Sequence, residues 1–170
     1  MTDIAARRAA LFTLFDRLGI VTTTHEHEAV FTVAESQHVK DSIPGGHTKN
    51  LFLKDKKGRL FLVVALGSAV IDLKRLHEVI GASGRLSFGS GELLEEVWGV
   101  KPGSVTPFGA ICDADRRVAV VLDAAMMEHE ILNYHPLENT ATTSISRADL
   151  VAFLRATGHE PRILPCSQPA

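Results

Sequence analysis

Two apolar runs, Leu51 to Lys54 and Leu60 to Leu66, flank Asp55-Lys56-Lys57-Gly58-Arg59, and no other feature limits the fold as tightly. The polar insert is turn chemistry, so the runs predict an antiparallel hairpin. The second run reads Leu-Phe-Leu-Val-Val-Ala-Leu, without polar alternation. A strand of that kind is buried on both faces and belongs in the middle of a sheet. With 170 residues and 45% hydrophobic content, the chain can bury one core and is short for two. No linker-like stretch interrupts it, so one domain over 1–170 is expected.

Helical periodicity marks both ends. Ile4, Leu11, Leu14, Phe15 and Leu18 share a face, and Gly19 follows where a left-handed residue closes a helix. Ser146 with Asp149 fits a capping box ahead of Leu150, Val151, Phe153 and Leu154, and Gly158 ends that helix. Residues 20 to 27 predict a strand, and Thr32 to Val39 a short helix leading into Pro44. Asp72 caps a helix carrying Leu73, Leu76 and Ile80 up to Gly81; Ser90 caps another carrying Leu93, Leu94, Val97 and Trp98 up to Gly99. Val105 to Ile111 and Val118 to Leu122 bracket Asp113-Ala114-Asp115-Arg116-Arg117 and predict a second hairpin, with further strands at Ile131 to Tyr134 and Ala141 to Ile145. Hairpins outnumber crossover units in this order. The expected fold is therefore α/β of the α+β-like kind, a curved mixed central sheet flanked by helices, with its pocket at loop-bearing strand ends.

A net charge of −2 excludes a globally basic nucleic-acid coat and any extended grip on DNA, and leaves room for a small focused contact with RNA. Cys112 and Cys166 are too few and too separated for a disulfide framework, and neither has a CxxC partner, which points to a reducing cytoplasm. No apolar run approaches the roughly 18 residues of a membrane span, so the chain is expected to be soluble with no membrane partner. Eight histidines invite a metal reading that their spacing does not support. His25 and His27 form an isolated HxH, and His129-Glu130 lacks the second histidine of HExxH because Asn133 stands there. No metal or cofactor is expected. The chain has no GxSxG elbow, no GxxxxGK[ST] loop and no GxGxxG after a strand. Neither cysteine has a basic partner in sequence, so the chemistry expected here uses water.

Pro44-Gly45-Gly46-His47-Thr48-Lys49-Asn50 is a glycine-turned loop that brings one lysine to the mouth of the first apolar run. Lys54, Lys56, Lys57 and Arg59 form a solvated turn, whereas Lys49 stands between the glycine loop and a buried strand. A cation held against a core needs something negative to meet it, so this segment reads as an anion site. Far along the chain, Tyr134 to Thr142 sets polar side chains between two strand-like runs, with Pro136 stiffening the turn. The two segments suggest one two-sided pocket. His135 taken alone fits a structural hydrogen-bonder as well as a functional group.

Three blocks carry a resemblance: GGHTKNLFLKD with Lys49 and Asn50, GSVTPFG with a GxxxP loop from Gly103 to Pro107, and HPLENTATT from His135 to Thr143. In this order they resemble the YbaK-like and prolyl-tRNA-synthetase-associated editing domains, most closely the free-standing branch that deacylates alanyl-tRNA(Pro). The resemblance runs from the first helix to Leu164 and implies that family's fold. It implies that Lys49, accompanied by Asn50, engages the phosphate-bearing 3′ end of an aminoacyl-tRNA. Gly103, with Ser104 and Pro107 in its loop, would shape the wall near the ester. His135, Asn139, Thr140 and Ala141 would line the aminoacyl side, and Val30 and Phe31 would close it. Lys49, Gly103 and His135 are the expected catalytic residues.

An aminoacyl ester is already activated, so an enzyme for it must hold the terminal adenosine, position a water and stabilise oxyanion charge. The resemblance implies help from the substrate's own ribose hydroxyl, with Lys49 as positioner and electrostatic anchor and backbone amides around Gly103 as oxyanion donors. A synthetase pocket sized for proline rejects the smaller alanine weakly, since a missing methylene is worth only about 1–3 kcal/mol, whereas a second, smaller pocket admits alanine alone. The expected partner is the acceptor end of alanine-charged tRNA(Pro), engaged in trans, with prolyl-tRNA synthetase or an elongation factor as candidate partners. Three alternatives stay open: the same fold acting on cysteine- or serine-charged tRNA, a non-catalytic module that binds tRNA or a synthetase, and a small-molecule anion binder.

Overall fold

In the computed structural model, which describes residues 4–29 and 42–168, the chain opens with α1 (Ile4–Leu18) and β1 (Thr23–Glu26). It continues through β2 (Gly46–Lys54), β3 (Leu60–Leu66), α2 (Leu76–Ile80), β4 (Ser87–Phe88) and α3 (Gly91–Trp98). A 3-10 helix at Pro107–Cys112 precedes β5 (Val118–Asp123), and another at Met126–Glu128 precedes β6 (Ile131–Tyr134). The chain then forms β7 (Ala141–Ser146), α4 (Arg147–Ala156) and β8 (Arg162–Leu164). Among the described residues no helix is long and apolar enough to cross a membrane.

The hairpin expected from the apolar runs is the spine of the sheet: β2 and β3 pair antiparallel from Thr48↔Leu66 to Lys54↔Leu60. Asp55 fixes their turn. Its buried carboxylate accepts the backbone N–H groups of Lys57, Arg59 and Ser83 and the Arg59 Nε–H. Burial alone would raise its pKa, but donation from Ser83, Arg59 and Lys57 outweighs it and holds the carboxyl at about 2. Strand order is β1-β7-β6-β2-β3-β5-β8, with β4 on the far end of β2. Pairing is parallel at β6/β2, β3/β5 and β5/β8 and antiparallel elsewhere, which makes this the mixed sheet expected.

Apolar side chains that alternate along the strands feed two cores. On one face Leu62, Val64, Leu122 and Leu132 meet Leu11 and Phe15 of α1, Trp98 of α3 and Phe153 of α4. Phe108 sits among them, edge-on to Phe15 at 5.3 Å and to Phe153 at 5.5 Å between ring centroids. On the other face Leu53, Phe61, Val63 and Val121 meet Leu76 and Ile80 of α2 and Cys166. Burial on both sides is why β3 lacks alternation. Ser90 and Ser146 cap α3 and α4 as expected, accepting from the N–H groups of Leu93 and Asp149.

Two expectations are corrected. Val105 to Ile111 is not a strand, so the second hairpin does not form. Thr106 caps a 3-10 helix by accepting the Phe108 N–H, and Pro107 at its start has no N–H to offer a ladder. The Thr106 carbonyl accepts from Trp98 Nε1 at 2.6 Å, and β5 pairs with β3 instead. The helix assigned to Asp72 begins later, at Leu76, because Asp72 first closes a turn on the Lys74 and Leu76 N–H groups. β4 and β8, two and three residues long, left no pattern to read. The helix expected over Thr32 to Val39 lies outside the described residues.

Gly109 lies against the indole: a Cβ there would come 2.2 Å from Trp98 Cδ1. Gly109→Ala should therefore destabilise the chain by about 1–3 kcal/mol, the range for overpacking, read as a lower urea midpoint at unchanged m. Because the Asp55 pKa is depressed, its stabilisation is complete above the unfolded value near 4 and is lost as pH falls toward about 2. The melting-temperature gap between wild type and Asp55→Asn should close over that window and stay constant above about pH 5.

Candidate active site

Lys49 lies inside β2, three residues from its start, rather than in the preceding loop. Strand alternation sends it, with Leu51 and Leu53, toward the smaller core, while Thr48, Asn50 and Phe52 face the larger one. Lys49 and Asn50 therefore serve opposite faces. The Lys49 ammonium donates to the Ala69 carbonyl and makes no ion pair among the described residues. That carbonyl is presented by a loop that folds back on β2, with the Gly67 N–H on His47 O at 2.9 Å and the Ala69 N–H on Leu66 O at 3.0 Å. Asn50 Oδ1 is buried without a hydrogen-bond partner.

β6 reaches β2 over two rungs, Gly46↔Leu132 and His47↔Asn133, and the strands then part. Two residues beyond the last rung stand Lys49, still within β2, and His135, one residue past the end of β6, and alternation sets Lys49 on the face away from the larger core. Asn133 stitches this junction. Its Nδ2 donates to Pro44 O at 3.1 Å and Gly46 O at 3.2 Å, its carbonyl accepts from Thr48 Oγ1 at 2.6 Å, and its Oδ1 accepts from Ser144 Oγ at 2.5 Å. Gly45 makes the approach possible: its φ is +103°, and a Cβ there would come 3.0 Å from Asn133 Nδ2.

His135 Nδ1 lies 3.0 Å from Ala141 O. A carbonyl only accepts, so Nδ1 carries the proton and Nε2 keeps its lone pair. Burial pushes the imidazole pKa down, the Ala141 carbonyl opposes this, and the neighbouring His27 adds to the depression. His27 is held the same way: Nδ1 donates to Glu28 O at 2.8 Å, and Nε2 lies 2.8 Å from Thr142 Oγ1. β1 and β7 pair through His25↔Thr142 and Thr23↔Ser144, so these side chains share one polar face with Asn133. A cavity of about 520 Å³ opens there, lined in part by Thr23, His25, Gly45, His129 and Ser144. No group of three His, Cys, Asp or Glu able to hold a metal gathers among the described residues.

The rest of the HPLENTATT block is tied to the first helix. Arg8 pairs with Glu26 on β1 and lies 3.5 Å from Glu138, whose carboxylate also accepts the Thr140 hydroxyl. Thr140 O accepts the His27 N–H at 2.8 Å. Ala141 turns its side chain into the larger core and gives only its carbonyl to the site. The GxxxP loop meets this block at one point: a Cβ on Gly103 would lie 4.0 Å from Asn139 Nδ2. Ser104 is almost buried and closes a turn on Lys101 O, and Pro107 is buried at the head of its 3-10 helix. Both support the loop from within, and no hydrogen bond links it to Lys49. Val30 and Phe31 lie outside the described residues.

The arrangement joins a cation without a carboxylate partner to a neutral imidazole with an open acceptor, either side of a gap in a sheet. Such a pair binds an anion and takes a hydrogen bond from a neighbouring hydroxyl or amine. The sequence pointed to His27 as half of an isolated HxH, to Asn133 as the missing histidine of HExxH and to Thr142 as part of a polar segment, and their roles here went unread because they depend on pairing between distant strands. Long-range 1H–15N spectra of the imidazoles should show His135 as the Nδ1–H tautomer, titrating below the ordinary value near 6.5. A midpoint above that value, or an Nε2–H tautomer at pH 7, would contradict the geometry.

Comparison with known proteins gives the family of the chain. Residues 27–153 match the aminoacyl-tRNA editing domain family. The chain is 41% identical over 164 residues to the prolyl-tRNA synthetase associated domain-containing protein 1 of Bos taurus, covering 94% of this chain and 95% of that one. It is 37% identical over 158 residues to the prolyl-tRNA editing protein ProX of Acetoanaerobium sticklandii, covering 92% and 95%. The crystal structure of a candidate trans-editing enzyme for prolyl-tRNA synthetase superposes with a TM-score of 0.71 over 99% of both chains, at 19% identity, a likeness of fold. By a family match over most of its length and relatives that align nearly end to end, the chain belongs to the aminoacyl-tRNA editing domain family.

Proposed function

We propose that this chain is a trans-editing deacylase that hydrolyses the ester of alanine-mischarged tRNA(Pro) and spares Pro-tRNA(Pro). The observation that carries the reading is the placement of Lys49 and His135 just past the point where β2 and β6 part. A relative over 92% of this chain is named a prolyl-tRNA editing protein, which directs the choice of tRNA.

In this reading the Lys49 ammonium meets the phosphate at the 3′ end and fixes the ester in the gap. Water adds to the ester carbonyl, helped by the adjacent ribose hydroxyl. The bond from the carbonyl carbon to the ribose oxygen breaks, releasing alanine and a free tRNA terminus. His135 Nε2, neutral near pH 7, takes a hydrogen bond from the substrate's amine or hydroxyl rather than adding a second positive charge beside Lys49. The Gly103 N–H, in the loop next to Asn139, would be the oxyanion donor, since the Ser104 N–H is already given to Lys101 O. The wall of the 135–141 loop sets the size limit that shuts out a proline ring.

Rates for Ala-tRNA(Pro), Pro-tRNA(Pro), Cys-tRNA(Pro), Ser-tRNA(Pro) and Ala-tRNA(Ala), with and without a chelator, test the reading. Chelator-resistant loss of alanine from tRNA(Pro) is expected. Lys49→Ala should lower kcat/KM by about 100-fold or more while the thermal melt stays close to that of wild type. Preferential loss of cysteine or serine would move the specificity, and binding without turnover of any ester would reduce the chain to a tRNA-binding module.

A further inference from the structure

Lys49 lacks a visible counter-charge, and the opposite defect lies two strands away. Asp123 closes β5 and is fully buried. Its Oδ1 accepts the N–H groups of Cys166 at 2.9 Å and Ser167 at 3.2 Å. Its Oδ2 is buried with no hydrogen-bond partner among the described residues. Lys49 pairs with Ala65 on β3, and the rung after Val64↔Leu122 sets Ala65 beside Asp123. Alternation puts all three on one face, since Leu53, Val63 and Val121 of the same strands share the smaller core. The Cα atoms of Lys49 and Asp123 are two strand spacings apart, about 10 Å, a span that a four-carbon lysine stem and an aspartate together can nearly bridge. Between them stands Ala65, a side chain too small to come between the two groups.

A cavity of about 730 Å³ opens at the Asp123 end of this row, and both Asp123 and Ala69, the acceptor of the Lys49 ammonium, line it, while Lys49 itself does not. No lysine or arginine lines it, and its other charged residue is Glu128. Arg162, the basic residue on the neighbouring β8, is turned away to Ile80 O at 2.8 Å. Lys49 is thus the cation on the same face for which the open oxygen of Asp123 is placed.

We infer that Asp123 is the positioning residue of Lys49, a buried counter-carboxylate that attracts the ammonium across Ala65 and keeps it over the 67–70 loop. The inference rests on the reading of Lys49 as the cation of the site. In the structure the ammonium lies on Ala69 O and not on Asp123, so the pair acts through the field of the carboxylate. A buried carboxylate is screened little, which lets it act over such a distance.

Asp123→Asn keeps the shape and the Oδ1 acceptor for the Cys166 and Ser167 amides and removes only the charge. In urea unfolding of the free protein, Asp123→Asn, Lys49→Gln and the double variant should then be non-additive, the double variant losing less than the two single variants together. The kcat for the alanyl ester should fall about tenfold, as expected for a displaced charge. Asp123→Glu, which keeps the charge, should hold kcat close to wild type, and in the Lys49→Gln background Asp123→Asn should lower kcat little further. Additive losses of stability, or an Asp123→Glu protein as slow as Asp123→Asn, would overturn the pairing. The unfolding measurements use no tRNA, so a wild-type protein without deacylase activity would sink the proposed function and leave this result standing.

Discussion

Two rungs of parallel pairing, Gly46↔Leu132 and His47↔Asn133, join the β1-β7-β6 part of the sheet to the β2-β3-β5-β8 part. A parallel pair this short cannot hold its register by backbone bonds alone. Asn133 does so with its side chain, locking onto the Pro44 and Gly46 carbonyls on one side and Ser144 on the other. Because the register is fixed, the parting of the strands is fixed too, with Lys49 and His135 each two residues past the last rung. A slip of one residue would send Lys49 into the larger core and Asn50 to the polar face.

The electrostatics of the gap depend on keeping positive charge in one place. Lys49 supplies the cation, and the Ala141 and Glu28 carbonyls hold His135 and His27 with the proton on Nδ1. Burial together with the nearness of His27 keeps His135 short of a second charge. A doubly cationic site would grip a phosphate more tightly and gain nothing at the ester, because binding shared by ground state and transition state does not raise turnover. The placement of the charges favours a site where the anchor and the reacting bond are handled by different groups.

What the sequence made legible was local. The hairpin from Leu51 to Leu66 and the caps Ser90 and Ser146 follow from residues within a few positions of one another, and the structure has all of them. Lys49 stood out for the same reason, as a lone cation beside an apolar run, although its place inside the strand was not evident. Val105 to Ile111 misled because an apolar run reads as a strand, whereas Thr106 and Pro107 start a tight helix and Trp98 claims the Thr106 carbonyl. Asn133 carried no signal of this role, since its partners lie up to 89 positions away in the chain. The proton position on His135 was equally hidden, because it depends on where the Ala141 carbonyl comes to rest.

Arg8 shows how far the site extends beyond its chemistry. It sits on the first helix, touches neither Lys49 nor His135, and holds Glu26 and Glu138 together at the edge of the 135–141 loop. Partly exposed pairs of this kind weaken as ionic strength rises, each worth about 0–1 kcal/mol at most. Lys49 is anchored by a strand and would be little disturbed. The 135–141 loop is held in part by charges that salt can loosen, so its seat against the first helix depends on the ionic medium more than the position of Lys49 does.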